Sequence, residues 1–533
     1  MRNLQTIAGE RLVAALPRVL SLLDKNPLST TYGCLDRKYW QYKIIDFPSG
    51  MQQELARVLA WASASPISPY HGMPRIREFA LAAIRFHARM IHPDGSLDDY
   101  FPYERALGAT GYAVAALADA CRLLQWTPDE ATRKALLAST RFIVRHTETG
   151  LLSNHHAIAV YALAAVSAVC NDLPTMAEAQ KKAAHLATLQ HEEGWFPEYE
   201  GCDLGYQTVT LEFIARAGII DESLAPAPVT EALLRFLRAF AHPDGSFGGE
   251  YGSRNTYNFY PGGFALLAGR SAEAREILGL HGLAIKQGTE NHLEDDGVFG
   301  HMLSSWITVL DAPETVVIKE SAPEPHAPPQ LIVWPGAELF TGVTGTLRIF
   351  GNTTKGGCFK IFDGQRLAAS DTGYAGTLAE GGIFCQNKPK ACSALIEDKT
   401  LSLSGRMQRF QNKRMTKIAM LGLRMLCLFF GFIPGFSQAI RSAMQKVLIY
   451  NKKPVPVLFT RNIQIMDEGI TVEDTVTCEN QARLETLYHT TDLVNLHVVT
   501  SDSFQATNLL SWQAVSTNDS SNFTEKKKFT EAC

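Results

Sequence analysis

Four short segments of the 533-residue chain gather side chains able to move protons or hold an anion. They are Asp36-Arg37-Lys38-Tyr39-Trp40, Ser153-Asn154-His155-His156, Glu198-Tyr199-Glu200 with Asp203 and Tyr206, and Glu250-Tyr251-Gly252-Ser253-Arg254-Asn255-Thr256-Tyr257. Histidine suits proton transfer near neutral pH. A phenol beside a guanidinium can act as a base, because positive charge favours the phenolate, and an arginine can instead grip a carboxylate through two parallel hydrogen bonds. Each residue also has a plainer use. Asn154 stands where a helix cap belongs, and the tyrosines can simply pack. His155 and His156 point about 100° apart on a helix, so at most one of them faces a given cavity squarely.

The elements that must position these segments are readable from an internal repeat. A short turn ending in Gly recurs at Gly95, Gly150, Gly194, Gly245 and Gly297, at intervals of 55, 44, 51 and 52 residues. Most of these turns precede an apolar helical stretch: Ala106–Leu124, His155–Val169, Tyr206–Ala217 and Phe259–Ala268. The stretches before them are more amphipathic: Arg75–Met90, Arg133–His146, Met176–Gln190 and Thr230–Phe240. Two helices per repeat of about fifty residues describe stacked hairpins, with the Ala- and Leu-rich helix inside and the charged one outside. An earlier member at Tyr32–Trp61 brings the number to six, enough to close an α/α toroid whose inner helices converge on a cavity. The four segments all fall in turns that open inner helices.

After Asp311 the texture changes. Five prolines within Asp311–Gln330 read as a linker. Beyond it, short β-branched runs with Gly punctuation (Gln330–Trp334, Gly345–Phe350, Phe359–Asp363, Thr400–Ser404, Val455–Ile465, Ile470–Thr477 and Leu493–Thr500) predict an antiparallel sandwich. The expected architecture is therefore multidomain, α then β. It comprises a toroid of about six helical hairpins over residues 1–310, a linker over 311–330, a β-sandwich over 331–515 with an apolar insertion near 415–450, and a polar, frayed tail over 516–533.

That insertion fits neither half. Ile418–Phe436 is strongly apolar, carries Arg424 as its one charge, and has Lys413, Arg414 and Lys417 before it and Arg441, Lys446, Lys452 and Lys453 after it. The uncharged run Met425–Phe436 is too short to span a bilayer and suits an interfacial segment. Its basic flanks predict peripheral contact with an anionic membrane surface, the alternative being a helix buried against the sandwich.

Composition narrows the partners. A net charge of −4, from 50 basic and 54 acidic residues, gives no global attraction to nucleic acid. The amino terminus is interrupted by Glu10, Arg11, Arg18 and Asp24 and reads as a mature amphipathic helix, not a signal peptide. The ten cysteines form no CxxC pair. A cytoplasmic location with reduced thiols follows as the expectation, at the inner face of the cell membrane if the insertion contacts lipid. No cofactor motif is present, and the best acidic cluster, Asn291–Asp296 with His301, matches no dedicated metal-ligand spacing.

An Asn-His pair opening one inner helix, Asp-x-x-Tyr opening the next, and an aromatic, Arg-containing turn after that, on a toroid followed by a sandwich, resemble the heparinase II/III and alginate-lyase-type polysaccharide lyases. The resemblance implies β-elimination on an acidic, uronate-containing polysaccharide. It implies Asn154 at the uronate carboxylate, His155 as base or its partner, Tyr206 as acid or base, and Tyr251 and Arg254 completing the catalytic subsite. Asp36, Arg37, Trp40, His156, Asp203, Asn255 and Tyr257 are candidates for substrate binding in the same turns. The missing export signal and the apolar insertion depart from a degradative lyase and point to a lipid-linked or nascent surface glycan.

Four other readings compete. A glycoside hydrolase on the same toroid needs two carboxyls across the cavity, for which Glu198, Glu200, Asp203, Glu250, Asp36 and Asp98-Asp99 are available. A uronate C5-epimerase shares the proton abstraction without elimination. A non-catalytic glycan-binding protein would use Tyr39, Trp40, Trp195 and Tyr257 for stacking alone. A terpene cyclase, suggested by Asp244-Gly245-Ser246-Phe247-Gly248, lacks an acidic initiation motif. His489 and His497 reach the cavity only if the sandwich packs across its mouth.

Overall fold

In a computed structural model the chain is described over residues 3–146, 151–199, 201–290, 297–313, 326–388, 390–410, 416–433, 435–448, 453–495, 503–504, 506–516 and 522–531. Six inner helices form a closed ring: α3 (Ala56–Ala64), α5 (Leu107–Leu123), α7 (Ser153–Cys170), α9 (Leu204–Ile220), α11 (Pro261–Leu267) and α13 (Phe299–Asp311), each touching the next and α13 returning to α3. Six outer helices surround them: α1 (Leu4–Leu22), α4 (Pro74–Met90), α6 (Glu130–Arg145), α8 (Leu173–Thr188), α10 (Ala227–Ala239) and α12 (Ala272–Gln287). The remaining short helix, α2 (Arg37–Trp40), lies in the loop before α3. The predicted helix bounds lie within a few residues of these. The first hairpin starts earlier than Tyr32, because its outer helix is α1, which packs on α13 and closes the ring.

The repeating glycine has a physical cause. Gly33, Gly95, Gly194 and Gly245 all have positive φ, and each lies against the backbone of the next outer helix, where an added methyl group would overlap the carbonyl of Ala82, Ala138, Ala232 or Leu280. Turn conformation and close approach both demand glycine. The ring is not an open tunnel. Asp119 on α5 is buried between Arg57 and Arg216 and accepts a 2.7 Å bond from the Tyr161 hydroxyl, so side chains of α3, α5, α7 and α9 plug the axis.

The sheet half has two antiparallel sheets. One runs in order β1 (Ala327–Trp334), β2 (Leu339–Gly345), β3 (Leu347–Asn352), β4 (Phe359–Asp363) and β5 (Arg366–Asp371). The other contains β6 (Gly373–Leu378), β7 (Ile383–Cys385), β8 (Cys392–Glu397), β9 (Thr400–Arg409), β10 (Pro454–Met466), β11 (Gly469–Cys478), β12 (Leu484–Thr490), β13 (Gln513–Ala514) and β14 (Asn522–Phe529). Phe359 and Ile361 face the second sheet, against Leu401, Leu403 and Ile463. Phe350 and Phe362 face the toroid and meet His242, each with ring centroids 4.9 Å apart. The central strands β2, β3 and β4 are therefore largely buried on both faces, between the helices and the second sheet, while β1 at the edge keeps one side exposed.

Three expectations need correction. The last residues of the expected linker, Ala327–Gln330, belong to β1, while residues 314–325 lie outside the described residues. The expected frayed tail supplies β14, paired with β11 from Ile470↔Phe529 to Thr477↔Asn522; its alternating Phe, Thr, Glu and Lys suit a half-exposed edge strand. In the expected strand Leu493–Thr500, residues 493–495 are irregular and the rest lies outside the described residues.

The apolar insertion forms α14 (Lys417–Phe430) and α15 (Phe436–Leu448) between β9 and β10. It does not lie buried against the sandwich. It crosses to the toroid, where Arg424 pairs with Asp46 at 2.5 Å and Arg441 with Glu104 at 3.1 Å.

The turn-glycine account is tested with two substitutions. Gly288→Ala, at positive φ with open space around it, should lose on the order of 1 kcal/mol for left-handed backbone alone. Gly245→Ala, which also meets the Leu280 carbonyl, should lose on the order of 3 kcal/mol, both read from urea midpoints.

Candidate active site

The N-terminal ends of the inner helices surround a cavity of about 390 Å³. Asn154 and His155 reach it from the first turn of α7, Tyr206 from the first turn of α9, and Arg254 and Tyr260 from the loop before α11. Tyr112 of α5, His301 of α13, Asp99, Tyr100 and Glu104 from the turn before α5, and Tyr199 from the turn before α9 also line it, and α15 contributes Arg441 and Met444. Gly108 lets the His155 ring approach α5, since a methyl group there would lie 3.0 Å from the imidazole.

Glu198 organises one wall. It has no exposed surface. It accepts the Asn154 backbone N–H at 2.8 Å, the Asn154 Nδ2 at 2.8 and 2.9 Å, and Arg254 Nη1 at 3.3 Å. Burial pushes its carboxyl above the usual range, while Arg254 and Asn154 pull it back. The Arg254 guanidinium lies 3.9 Å from the centre of the Tyr206 ring and 4.4 Å from that of Tyr199. Burial alone would lower the pKa of Arg254, but Tyr206, Tyr199 and Glu198 raise it, so it stays charged. The Tyr112 hydroxyl donates to Asn154 Oδ1 at 3.4 Å, and its ring stacks on His301 with centroids 3.9 Å apart. His301 Nδ1 is hydrogen-bonded to Glu54.

Behind this wall a second carboxylate sets the loop. Asp203 caps α9 through the Tyr206 N–H at 3.2 Å and accepts the N–H groups of Arg254 at 2.9 Å and Thr256 at 3.3 Å, together with the Thr256 hydroxyl. One residue therefore couples the start of α9 to the position of Arg254. Lys355, from the connection between β3 and β4, buries its ammonium in the same loop. It donates to the Glu250 and Gly252 carbonyls and to Asn255 Oδ1, and burial lowers its pKa to about 8.

Of the five candidate catalytic residues, Asn154, His155, Tyr206 and Arg254 meet in the cavity and Tyr251 does not. Tyr251 is buried at the joint with the sheet, its hydroxyl 2.7 Å from His242 Nε2, and burial pushes its phenol well above its ordinary value. The candidate binding residues do not line the cavity. Asp36 caps α2 and receives the Ser49 N–H, Arg37 bonds Gln41, and Trp40 donates its indole N–H to the Leu22 carbonyl. His156 points about one residue's rotation away from His155 and meets His185 of α8 edge-on. Asp203 and Asn255 shape the Arg254 loop, and Tyr257 is buried beneath the Lys360 ammonium, 4.5 Å from its ring centre.

Tyr112, Glu104, Arg441 and Lys355 were not singled out from the sequence as parts of this site. Tyr112 carried one signal, a phenol early in an Ala- and Gly-rich inner helix. Arg441 and Lys355 come from distant segments and carried none. No group of three His, Cys, Asp or Glu residues able to hold a metal occurs among the described residues; Asn291–Asp296 lie outside them. His489 is bound to Asp371 within the sheet half at 2.7 Å, away from the cavity, and His497 lies outside the described residues.

No family model matches the sequence, and no curated protein matches it. The structure is similar to that of chondroitin AC lyase from Streptomyces coelicolor A3, solved with chondroitin sulphate, at 12% identity and TM-score 0.56 over 91% of this chain and 68% of that one. It is also similar to a Paenibacillus xanthan lyase, at 9% identity and TM-score 0.55 over 92% of this chain and 47% of that one. The chain thus has the α/α toroid and antiparallel β fold of these polysaccharide lyases and spans about two thirds and about half of their respective lengths.

Asp99 gives the cavity a pH signature. It accepts the Ser49 hydroxyl at 2.6 Å, and burial followed by the neighbouring Glu104 pushes its pKa up to about 7. A carboxyl raised on folding contributes stability at low pH that is lost as pH rises through the folded value. Asp99→Asn should therefore raise the melting temperature at about pH 8 and leave it nearly unchanged at about pH 4, as thermal melts at the two pH values will show.

Proposed function

We propose that this protein is a polysaccharide lyase that cleaves an acidic, uronate-containing glycan by β-elimination. The observation that carries the reading is the convergence of an amide, an imidazole, a phenol and a permanently charged guanidinium (Asn154, His155, Tyr206 and Arg254) on one cavity. The shared fold with two lyases supports it at the level of architecture only.

In this reading the uronate carboxylate lies against Arg254, which spreads the charge that develops when the C5 proton leaves. Asn154 already directs its amide nitrogen at Glu198, so its carboxamide is fixed in place and Arg254 takes the larger share of neutralisation. His155 or Tyr206 removes the C5 proton; the electron pair forms the C4–C5 double bond, the C4–O bond breaks, and the Tyr206 hydroxyl protonates the departing oxygen. Preorganised charge next to the forming enolate is the main source of acceleration. The substrate we assign is a surface glycan, nascent or carried on lipid.

The carboxylates weigh against hydrolysis. Asp203, Glu250 and Asp36 do not line the cavity, and Glu200 lies outside the described residues. Asp99 and Glu104 do line it, but they belong to a single turn, with Glu104 Oε2 accepting the Asp99 and Tyr100 N–H groups. A hydrolase needs carboxyls on opposite sides of the scissile bond.

The test follows the ultraviolet absorbance of unsaturated uronate over a panel of uronate-containing glycans. Tyr206→Phe and His155→Ala should each lower kcat by on the order of 10²–10⁴, whereas His156→Gln, which faces α8, should keep activity within a fewfold. Reducing-end release without unsaturation would move the assignment to a hydrolase centred on Asp99. Solvent-hydrogen exchange at C5 alone would indicate an epimerase, and binding without turnover a glycan-binding protein.

A further inference from the structure

α14 and the turn after it carry an apolar surface that the rest of the described fold leaves uncovered. Ile418, Leu421, Leu428, Phe429 and Phe432 are 84, 63, 64, 55 and 65% exposed, and Cys427 is the one buried side chain of the helix. Single exposed apolar residues are ordinary on a protein surface, whereas a contiguous patch marks something that binds there. The helix is firmly attached on one side. Arg424 pairs with Asp46, Arg105 donates to the Phe432 carbonyl at 3.5 Å, and Arg441 of α15 pairs with Glu104. These contacts fix which side faces the toroid and leave the apolar side outward.

Charge selects what covers it. Residues 399–466 contain twelve lysines and arginines and no aspartate or glutamate, within a chain whose net charge is −4; four of the twelve, Arg406, Arg424, Arg441 and the buried Arg461, are paired with acids elsewhere in the fold. Arg409 and Lys453, joined by a backbone bond of 2.8 Å at the base of the insertion, and Lys417 at the start of α14, are exposed. A second copy would bring this positive segment against itself. An anionic bilayer complements both features, taking the apolar side chains at the acyl boundary and the cations among the headgroups. The helix has 14 residues, and no described helix is long and apolar enough to cross a membrane, so this segment could meet a bilayer only at its interface.

We propose that α14 and the turn following it, through residues 418–433, dock this protein on the surface of an anionic lipid bilayer. The inference goes beyond the lyase reading and does not depend on it. Because α15 of the same insertion lines the cavity with Arg441 and Met444, docking would set the insertion between the lipid surface and the site.

The experiment is flotation of the full chain with phosphatidylcholine vesicles, with and without phosphatidylglycerol. The protein should float with the anionic vesicles, weaken with added salt, and lose at least about tenfold in partitioning in the Leu421→Glu/Phe429→Glu variant. In a second measurement, Phe429→Trp should shift its emission to shorter wavelength when anionic vesicles are added, which reads insertion without the charged variant. Failure to float, flotation unchanged by the double substitution, equal binding to neutral vesicles, no emission shift, or a wild-type dimer that the double substitution dissolves would each overturn the proposal. None of these results bears on formation of unsaturated uronate in solution, so this inference and the lyase reading fail separately.

Discussion

A carboxylate without exposed surface survives inside a protein only if donors replace the water it has lost. Glu198 imposes that condition on the wall of this cavity, and much of the site follows from it. Its oxygens hold the Asn154 backbone and side-chain amides and the Arg254 guanidinium. With Arg254 fixed, Tyr206 and Tyr199 pack over its π-accessible faces. With the start of α7 fixed, His155 enters the cavity and His156 leaves it. Asp203 repeats the device one layer behind, so two buried acids set the geometry of groups that would themselves touch a substrate.

The helical half was legible because its repeat is enforced by sterics. A glycine that must adopt positive φ and also lie against the next helix cannot be replaced quietly, and it marks four of the hairpins in the sequence, at Gly33, Gly95, Gly194 and Gly245; Gly150 lies outside the described residues. The sheets were legible only where β-branched runs stand out. β4, buried on both faces, was still recognisable from Phe359-Lys360-Ile361-Phe362, whereas β2 and β6, rich in Gly and Thr, and β12, where Glu485 and His489 interrupt the apolar residues, were not. β14 was hidden by its own alternation, because Lys526 and Lys528 on an edge strand look like a solvated tail.

Within the site, residue type and place in the repeat found Asn154, His155, Tyr206 and Arg254, but neither can say which way a loop side chain turns. Tyr251 and Arg254 are three residues apart, yet one turns to His242 at the joint with the sheet and the other into the cavity. Asp36, Arg37 and Trp40 opened a turn of the expected kind and were used to hold that turn together. Arg441 was beyond reach altogether, since nothing local relates a helix between β9 and β10 to the turn before α5. What the fold contributes is the ring of helix ends; the chemistry depends on which side chains those ends turn inward.

The ammonium of Lys355 has a consequence for how such a molecule can be taken apart or recombined. It leaves the sheet half and ends among the carbonyls of the loop that carries Arg254, with Asn352 Nδ2 beside it donating to the Tyr251 carbonyl at 3.0 Å. The helical ring is therefore not a self-sufficient module to which a sheet has been appended. A chimaera that exchanged the sheets while keeping every helix would preserve His155 and Tyr206 yet lose the prop under Arg254, and the two halves are constrained to change together.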